Sequence, residues 1–363
     1  MQISLATAIA LYRHYERHLS ASFMVGGFAF DNWAFGPLDH RATHIVFISY
    51  LCAVATAIAL LHYFEGQPEE KRPSQRTRHW IALATQFALG ALLSGFCVFY
   101  LRSAAIIASW PYLLVLAGIF IGNEVFREYL SELTISALLF FFSLFSYSIL
   151  LVPVLLASIG TLPFVLAGFV AVLAFAIFLR LLSTINEARL AAARLYIIGG
   201  ALAIFAAING FYFAGILPPL PLALVDAGVY HTAKKTGDVY EVSGEAPTWQ
   251  QWFTRAPIVH LAPGEKLYLY SAVYAPVRMA TPIVHRWEWY NPISQRWVGQ
   301  GEVRFTVRGG RDNGYRGYSI KSLPKAGDWR VDVAAGDGRP MGRVRFTVAL
   351  VEAPVALQKE TLN

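Results

Sequence analysis

The chain has 363 residues, of which 56% are hydrophobic and only 15% are charged, and its formal net charge at pH 7 is +7. This balance is too apolar for an average soluble protein, and the length leaves room for two domains. The two cysteines, Cys52 and Cys97, both lie in apolar runs, which excludes a disulfide-stapled secreted scaffold.

The hydrophobic pattern changes near residue 220. Before this point long apolar runs are separated by short polar breaks, whereas after it short segments alternate apolar and polar residues between Gly and Pro turns. About 20 apolar residues span a bilayer as a helix, whereas a strand needs only about four to eight. The pattern therefore predicts a transmembrane helical domain over 1–221 and an all-β domain over 222–363.

Seven apolar segments in the first domain are interpreted as membrane spans. The first is short and holds Asp31, the fifth contains Pro153, and Pro218 follows the seventh. The predicted spans are 20–36, 43–64, 80–101, 104–122, 133–157, 163–182 and 195–217.

The Lys and Arg residues between the spans fall almost entirely on one side. Counting alternate loops gives ten on one side and two, Arg41 and Arg102, on the other. Cytoplasmic loops carry an excess of Lys and Arg. The count therefore predicts a bacterial inner-membrane protein with a cytoplasmic N-terminus and a periplasmic β domain. The ten residues are Arg13, Arg17, Lys71, Arg72, Arg76, Arg78, Arg127, Arg180, Arg189 and Arg194.

The C-terminal region contains short segments with a period of two, separated by Gly-containing turns. In one of them His285, Trp287 and Trp289 share a face, and charged residues occupy the other face. This pattern predicts a small antiparallel β-sandwich, immunoglobulin-like in general build, after a polytopic α-helical membrane bundle. The predicted strands are Lys266–Tyr274, Ile283–Tyr290, Glu302–Arg308, Trp329–Val333 and Arg343–Val348.

Residues 309–348 resemble a bacterial module known as domain of unknown function 2914. The resemblance rests on Gly-Gly-Arg, Gly-Tyr-Arg, Tyr-Ser-x-Lys, Gly-x-Trp-Arg-Val and a Gly-Arg before Phe-x-Val. It implies a family but no activity. The residues that carry it are Gly309, Gly310, Arg311, Gly314, Tyr315, Arg316, Tyr318, Ser319, Lys321, Gly327, Trp329, Arg330, Val331, Gly342, Arg343, Phe346 and Val348.

Few ionisable residues fall within the predicted membrane domain, and a carboxylate inside a bilayer marks a candidate functional site. Asp31 is one such residue, although its place near the end of its span also suits the interface. Glu124, Arg127 and Glu128 have helical spacings of three and four. With Glu132 they form either a paired helix end or a gate for a cation or proton.

The outward-facing arginines of the β domain are the favoured ligand-binding surface, because Arg binds phosphate and carboxylate with paired hydrogen bonds. A plain solvated surface is the alternative. The strand-face tryptophans predict either a sandwich core or a platform on which sugars stack. The ligand-binding candidates are Arg304, Arg308, Arg311, Arg316, Arg330, Arg343, Arg345, Trp287 and Trp289.

The sequence contains no recognisable catalytic motif such as H-E-x-x-H, and no cofactor, metal or nucleic acid is predicted. The favoured function is a non-enzymatic binding or scaffolding protein of the cell envelope. Its exported β domain would contact a glycan, an anionic lipid or a membrane-protein partner. The alternative is a transporter or lipid-handling protein with the β domain as an accessory lid.

Overall fold

The computed structural model describes residues 41–103, 106–125, 132–217, 222–237, 239–246, 256–276, 279–310 and 314–362. Within these residues six α-helices precede eleven β-strands. The chain forms two compact units. The helical unit lies almost entirely before residue 217, and the β unit comprises 217–363 together with 102–109 and 153–160.

The helices follow one another with short connections. A single 3₁₀ turn, Glu69–Lys71, lies between the first two, and only Asn186 separates the last two. Asn186 caps the last helix, because its side-chain oxygen accepts a hydrogen bond from the Arg189 amide. The helices are α1 (Arg41–Glu65), α2 (Gln75–Ser103), α3 (Ile106–Val125), α4 (Leu133–Leu156), α5 (Thr161–Ile185) and α6 (Glu187–Phe213).

The predicted count of seven spans is too high, since about five helices qualify among the described residues. Five are long and apolar enough to cross a membrane, namely α1, α2, α4, α5 and α6. The apolar part of α3 covers only Ser109–Asn123, a length of roughly 22 Å at 1.5 Å per residue, which is less than the ~30 Å hydrocarbon core. The predicted first span, 20–36, lies outside the described residues.

One end of the helical unit is polar and joins four helix ends. Glu65, at the end of α1, forms ion pairs with Arg78 of α2 at 3.1 Å and with Arg189 of α6. His62 is buried, and its Nε2 atom lies 3.2 Å from the Leu182 carbonyl oxygen of α5. These contacts bring two of the predicted basic groups, around residues 71–78 and 180–194, to the same end of the unit.

The described part of the β unit contains three sheets in which the pairing is almost entirely antiparallel. The strands are β1 (Ala223–Tyr230), β2 (Thr232–Thr236), β3 (Val239–Gly244), β4 (Ile258–Leu261), β5 (Lys266–Tyr274), β6 (Ala280–Asn291), β7 (Arg296–Arg308), β8 (Tyr315–Ser322), β9 (Gly327–Ala335), β10 (Pro340–Leu350) and β11 (Gln358–Leu362). The strand orders are β1-β5-β8, β4-β10-β9-β6-β7 and β11-β3-β2, and among these strands only β4 and β10 run parallel. All five predicted strands are present, within β5, β6, β7, β9 and β10.

The β1-β5-β8 sheet and the five-stranded sheet enclose a single hydrophobic core, as expected of a β-sandwich. The largest buried side chains are Trp287, Trp329 and Phe346, whose rings contact one another in edge and stacked arrangements. The third sheet covers part of the outer side of the first through a tyrosine cluster built around Tyr240 and Tyr270. This third layer is absent from the predicted two-sheet sandwich.

Gly309 packs directly against the backbone of residues 275–276, and this contact leaves no space for a side chain. Its amide donates to the Met279 carbonyl at 2.8 Å, and a Cβ atom would overlap the carbonyl oxygen of Pro276. Because backbone atoms cannot move aside as a flexible side chain does, Gly309→Ala should lower the free energy of unfolding by about 1–3 kcal/mol. Denaturant unfolding of the full chain in detergent measures this effect.

Gly299→Ala is the matched control, because a Cβ atom there meets nothing within 4 Å. It should change the free energy of unfolding by less than about 0.5 kcal/mol. Equal effects of the two substitutions would contradict the packing argument.

Candidate functional site

The outward side of the five-stranded sheet carries most of the charged residues of β6, β7, β9 and β10. The alternation of the strands directs His285 and Trp287 into the core and their neighbours outward. We call this side the charged sheet face. It is formed by Arg286, Glu288, Tyr290, Trp297, Glu302, Arg304, Arg330, Asp332, Arg343 and Arg345.

Opposite charges face each other across the strands of the charged sheet face. Arg286 Nε donates to Glu302 at 2.7 Å, and Arg343 Nη2 donates to Asp332 at 2.8 Å. These hydrogen bonds raise the pKa of both arginines, and the bonds from Arg286 and Arg304 lower the pKa of Glu302. The predicted basic surface is therefore a lattice of ion pairs with a small positive excess.

An aromatic corner borders the lattice. Tyr290 and Trp297 face each other on β6 and β7, with ring centroids 5.4 Å apart. The Arg330 guanidinium lies 4.4 Å from the Trp297 ring centroid and also pairs with Glu288. The sequence analysis placed Glu288 on the charged face of its strand but did not count it among the ligand-binding candidates, and it did not include Tyr290 or Trp297. The period-two pattern and the short turn after Asn291 assign these two aromatic residues to the same face.

The structure gathers only some of the predicted ligand-binding residues on this face. Arg304, Arg330, Arg343 and Arg345 lie on it, and Arg308 lies at the end of β7. Arg316 lies on β8 in another sheet, and Arg311 lies outside the described residues. Trp287 is only 1% exposed, and Trp289 packs against the core and donates to the Ala326 carbonyl at 2.9 Å.

Most of the predicted intramembrane polar residues lie outside the part of the chain that the structure describes. Asp31, Arg127 and Glu128 lie outside the described residues. Glu124 lies near the C-terminal end of α3, and Glu132 is exposed just before α4. A gate built from these residues stays a prediction.

A serine–histidine–serine group spans the two main sheets and resembles a nucleophile with its base. His285 lies 2.8 Å from both Ser271 Oγ and Ser319 Oγ, and Trp287 donates to Ser319 Oγ at 3.0 Å. His285 is 0% exposed, and burial lowers its pKa to about 4. Because no substrate can reach the group, it acts as a buried polar bridge between the sheets.

A second histidine cluster lies where β4 meets the end of β3. Glu245 accepts a hydrogen bond from the His260 amide at 2.6 Å, and its carboxylate lies 3.2 Å from His231 Nε2. Burial raises the pKa of Glu245, but the hydrogen bonds from His260 and His231 outweigh this effect and lower it. Among the described residues no group of three or more His, Cys, Asp and Glu has the geometry of a metal site.

Comparison with known families identifies the C-terminal region. Residues 280–348 match the family described as "Protein of unknown function (DUF2914)". The chain carries a DUF2914 domain. The match confirms the family resemblance of residues 309–348 and extends it to Ala280, at the start of β6.

Comparison with the curated proteins found no match. Among solved structures, an immunoglobulin-like protein from Pseudomonas aeruginosa is 12% identical over 35% of this chain and 96% of its own, with a TM-score of 0.21. A beta-D-glucoside glucohydrolase from Trichoderma reesei is 14% identical over 39% of this chain and 22% of its own, also with a TM-score of 0.21. Likenesses at this TM-score carry no argument about activity.

The DUF2914 motif consists largely of packing residues. Trp329, Val331, Phe346 and Val348 lie in the sandwich core, and Gly309 makes the close backbone contact described above. The motif therefore explains how the DUF2914 domain folds more than what it binds.

Proposed function

We propose that this chain is a bacterial inner-membrane protein whose exported β domain binds a glycan of the cell envelope. The helical unit anchors the chain in the bilayer. The charged sheet face is the binding surface, and the role is non-enzymatic.

The observation that carries the proposal is the aromatic corner set against a fixed ion-pair lattice. Sugars have apolar faces that pack on aromatic rings such as Tyr290 and Trp297, and hydroxyl groups that both donate and accept hydrogen bonds. Carboxylates and guanidinium groups offer strong acceptors and donors, and here the ion pairs hold them in place. A surface ordered before binding loses less conformational entropy when a ligand binds.

The basic residues support a cytoplasmic location for the polar end of the helical unit. Arg78 and Arg189 meet there, and the sequence predicts ten Lys and Arg on this side against two on the other. α6 begins at this polar end and is long enough to cross a membrane, so a cytoplasmic polar end puts residue 213, at the other end of α6, on the periplasmic side. Protease cleavage of the β domain in spheroplasts tests this topology.

The binding proposal is tested with the full chain in neutral detergent against an array of bacterial envelope oligosaccharides. Trp297→Ala should weaken binding at least about tenfold, because it removes the stacking surface and releases Arg330. Tyr268→Ala is the control, since Tyr268 lies in the three-stranded sheet and contacts Tyr318. Binding that tolerates Trp297→Ala, or the absence of any oligosaccharide ligand, would contradict the proposal.

A further inference from the structure

The charges of the charged sheet face follow a regular order in one row of cross-strand neighbours and break it in the next. In the first row, Glu302 faces Arg286, Arg286 faces Asp332, and Asp332 faces Arg343. Acid and base alternate across all four strands, so each charge has an opposite neighbour.

The second row ends in two arginines that face each other. Glu288 on β6 faces Arg330 on β9, and Arg330 faces Arg345 on β10. Like charges directly opposite each other destabilise a sheet. Arg345 is exposed, and no carboxylate of the described residues lies within 4 Å of its guanidinium group. At Arg345 the ion-pair lattice therefore lacks a carboxylate.

We infer that Arg330 and Arg345 bind an anionic group, a carboxylate or a phosphate, carried by a sugar of the bound glycan. The inference rests on the proposed function. The Arg330 guanidinium is held beside Glu288 and Trp297, and an anion that contacts it and is also reached by the Arg345 side chain restores the alternation of the row. Arg can hold such an anion with paired hydrogen bonds. Because Arg330 lies against the Trp297 ring, the sugar that carries the anion lies beside the aromatic corner.

The surrounding acids favour a glycan over a phospholipid surface. Glu288, Glu302 and Asp332 lie on the same face as the arginines, at cross-strand spacings of roughly 5 Å. A continuous anionic surface would place phosphates against these carboxylates as well as against the arginines, and this repulsion offsets much of the attraction. A ligand with a single anionic group among neutral hydroxyls avoids that repulsion.

The test uses the full chain in neutral detergent and two matched probes. One is a disaccharide of glucuronic acid and N-acetylglucosamine, which carries a single carboxylate, and the other is the same disaccharide with that carboxylate reduced to an alcohol. We expect the acidic probe to bind at least about tenfold more tightly than the neutral probe, and Arg345→Gln to abolish this preference. Arg345→Lys should retain part of the preference, because it keeps the charge but loses the paired geometry.

The controls separate this inference from the proposed function. Arg316→Gln, on a different sheet, should keep the full preference. If both probes bind equally and Trp297→Ala still weakens them, the glycan-binding function stands and the anionic subsite is wrong. If neither probe binds, the anionic subsite is contradicted, and the glycan-binding function is contradicted with it if the oligosaccharide array yields no ligand either. If short-chain phosphatidylglycerol below its micellar concentration displaces the acidic probe through Arg345, the subsite takes a lipid phosphate and the glycan assignment is overturned.

Discussion

Replacing Trp287 by alanine is expected to unfold the β domain under conditions in which the native chain remains folded. The indole is 1% exposed, contacts the rings of Trp329 and Phe346, and donates to Ser319 Oγ at 3.0 Å. Removing a buried Trp side chain costs about 3–5 kcal/mol, whereas a whole domain is stable by about 5–15 kcal/mol. Urea unfolding of the full chain in detergent measures the loss of stability, with limited proteolysis reporting the unfolding of the β domain.

Two variants show whether the loss arises from packing. Trp287→Phe keeps an aromatic ring but loses the hydrogen bond to Ser319, so a smaller loss of about 1–3 kcal/mol is expected. Ile293→Ala, in the turn between β6 and β7, removes a side chain that is 94% exposed and should have almost no effect. A Trp287→Ala variant as stable as Ile293→Ala would show that the two sheets do not depend on this contact.

The strands and their faces were predictable because one side of each strand is buried and the period of two shows which side. Lys266–Tyr274 illustrates this, since Leu267, Leu269 and Val273 enter the core as the alternation indicates. The partners of the outward arginines were not predictable. Glu288 lies 42 residues from Arg330, and the pairing depends on the register between β6 and β9. A sequence pattern gives the face of a residue but not its cross-strand neighbour.

The third sheet was not predicted and the predicted number of spans was wrong, for different physical reasons. β2 contains two lysines, and the first four residues of β11 are all polar, so neither strand has the apolar alternation of a core strand. They form because β3 lies between them and supplies Tyr240 to the tyrosine cluster. In the helical unit, composition alone counts the α3 segment as a span, whereas its described apolar part is shorter than the bilayer core is thick.

The buried histidine should make the β domain less stable in mild acid. Burial lowers the pKa of His285 from 6.5 to about 4 in the folded chain. Between these two values the unfolded chain binds a proton that the folded chain does not, so the free energy of unfolding must decrease as the pH falls from 6.5 to 4. A difference of this size corresponds to about 3 kcal/mol at 1.36 kcal/mol per pKa unit. Urea unfolding of the full chain between pH 7.5 and 4.5 measures most of this decrease.

His285→Gln isolates the contribution, because glutamine does not titrate and its amide can still reach one of the two serines. We expect the variant to be less stable at pH 7.5, since one serine loses its partner, yet to lose less stability on acidification than the native chain. The hydrogen-bonded Glu245 has a lowered pKa, so its own contribution disappears only below about pH 4.5, outside this window. Equal pH slopes in the two proteins would show that His285 does not remain neutral in the folded sandwich. A flatter slope in the variant would show that the neutral histidine bridge is present at neutral pH and that acid opens the domain by charging it.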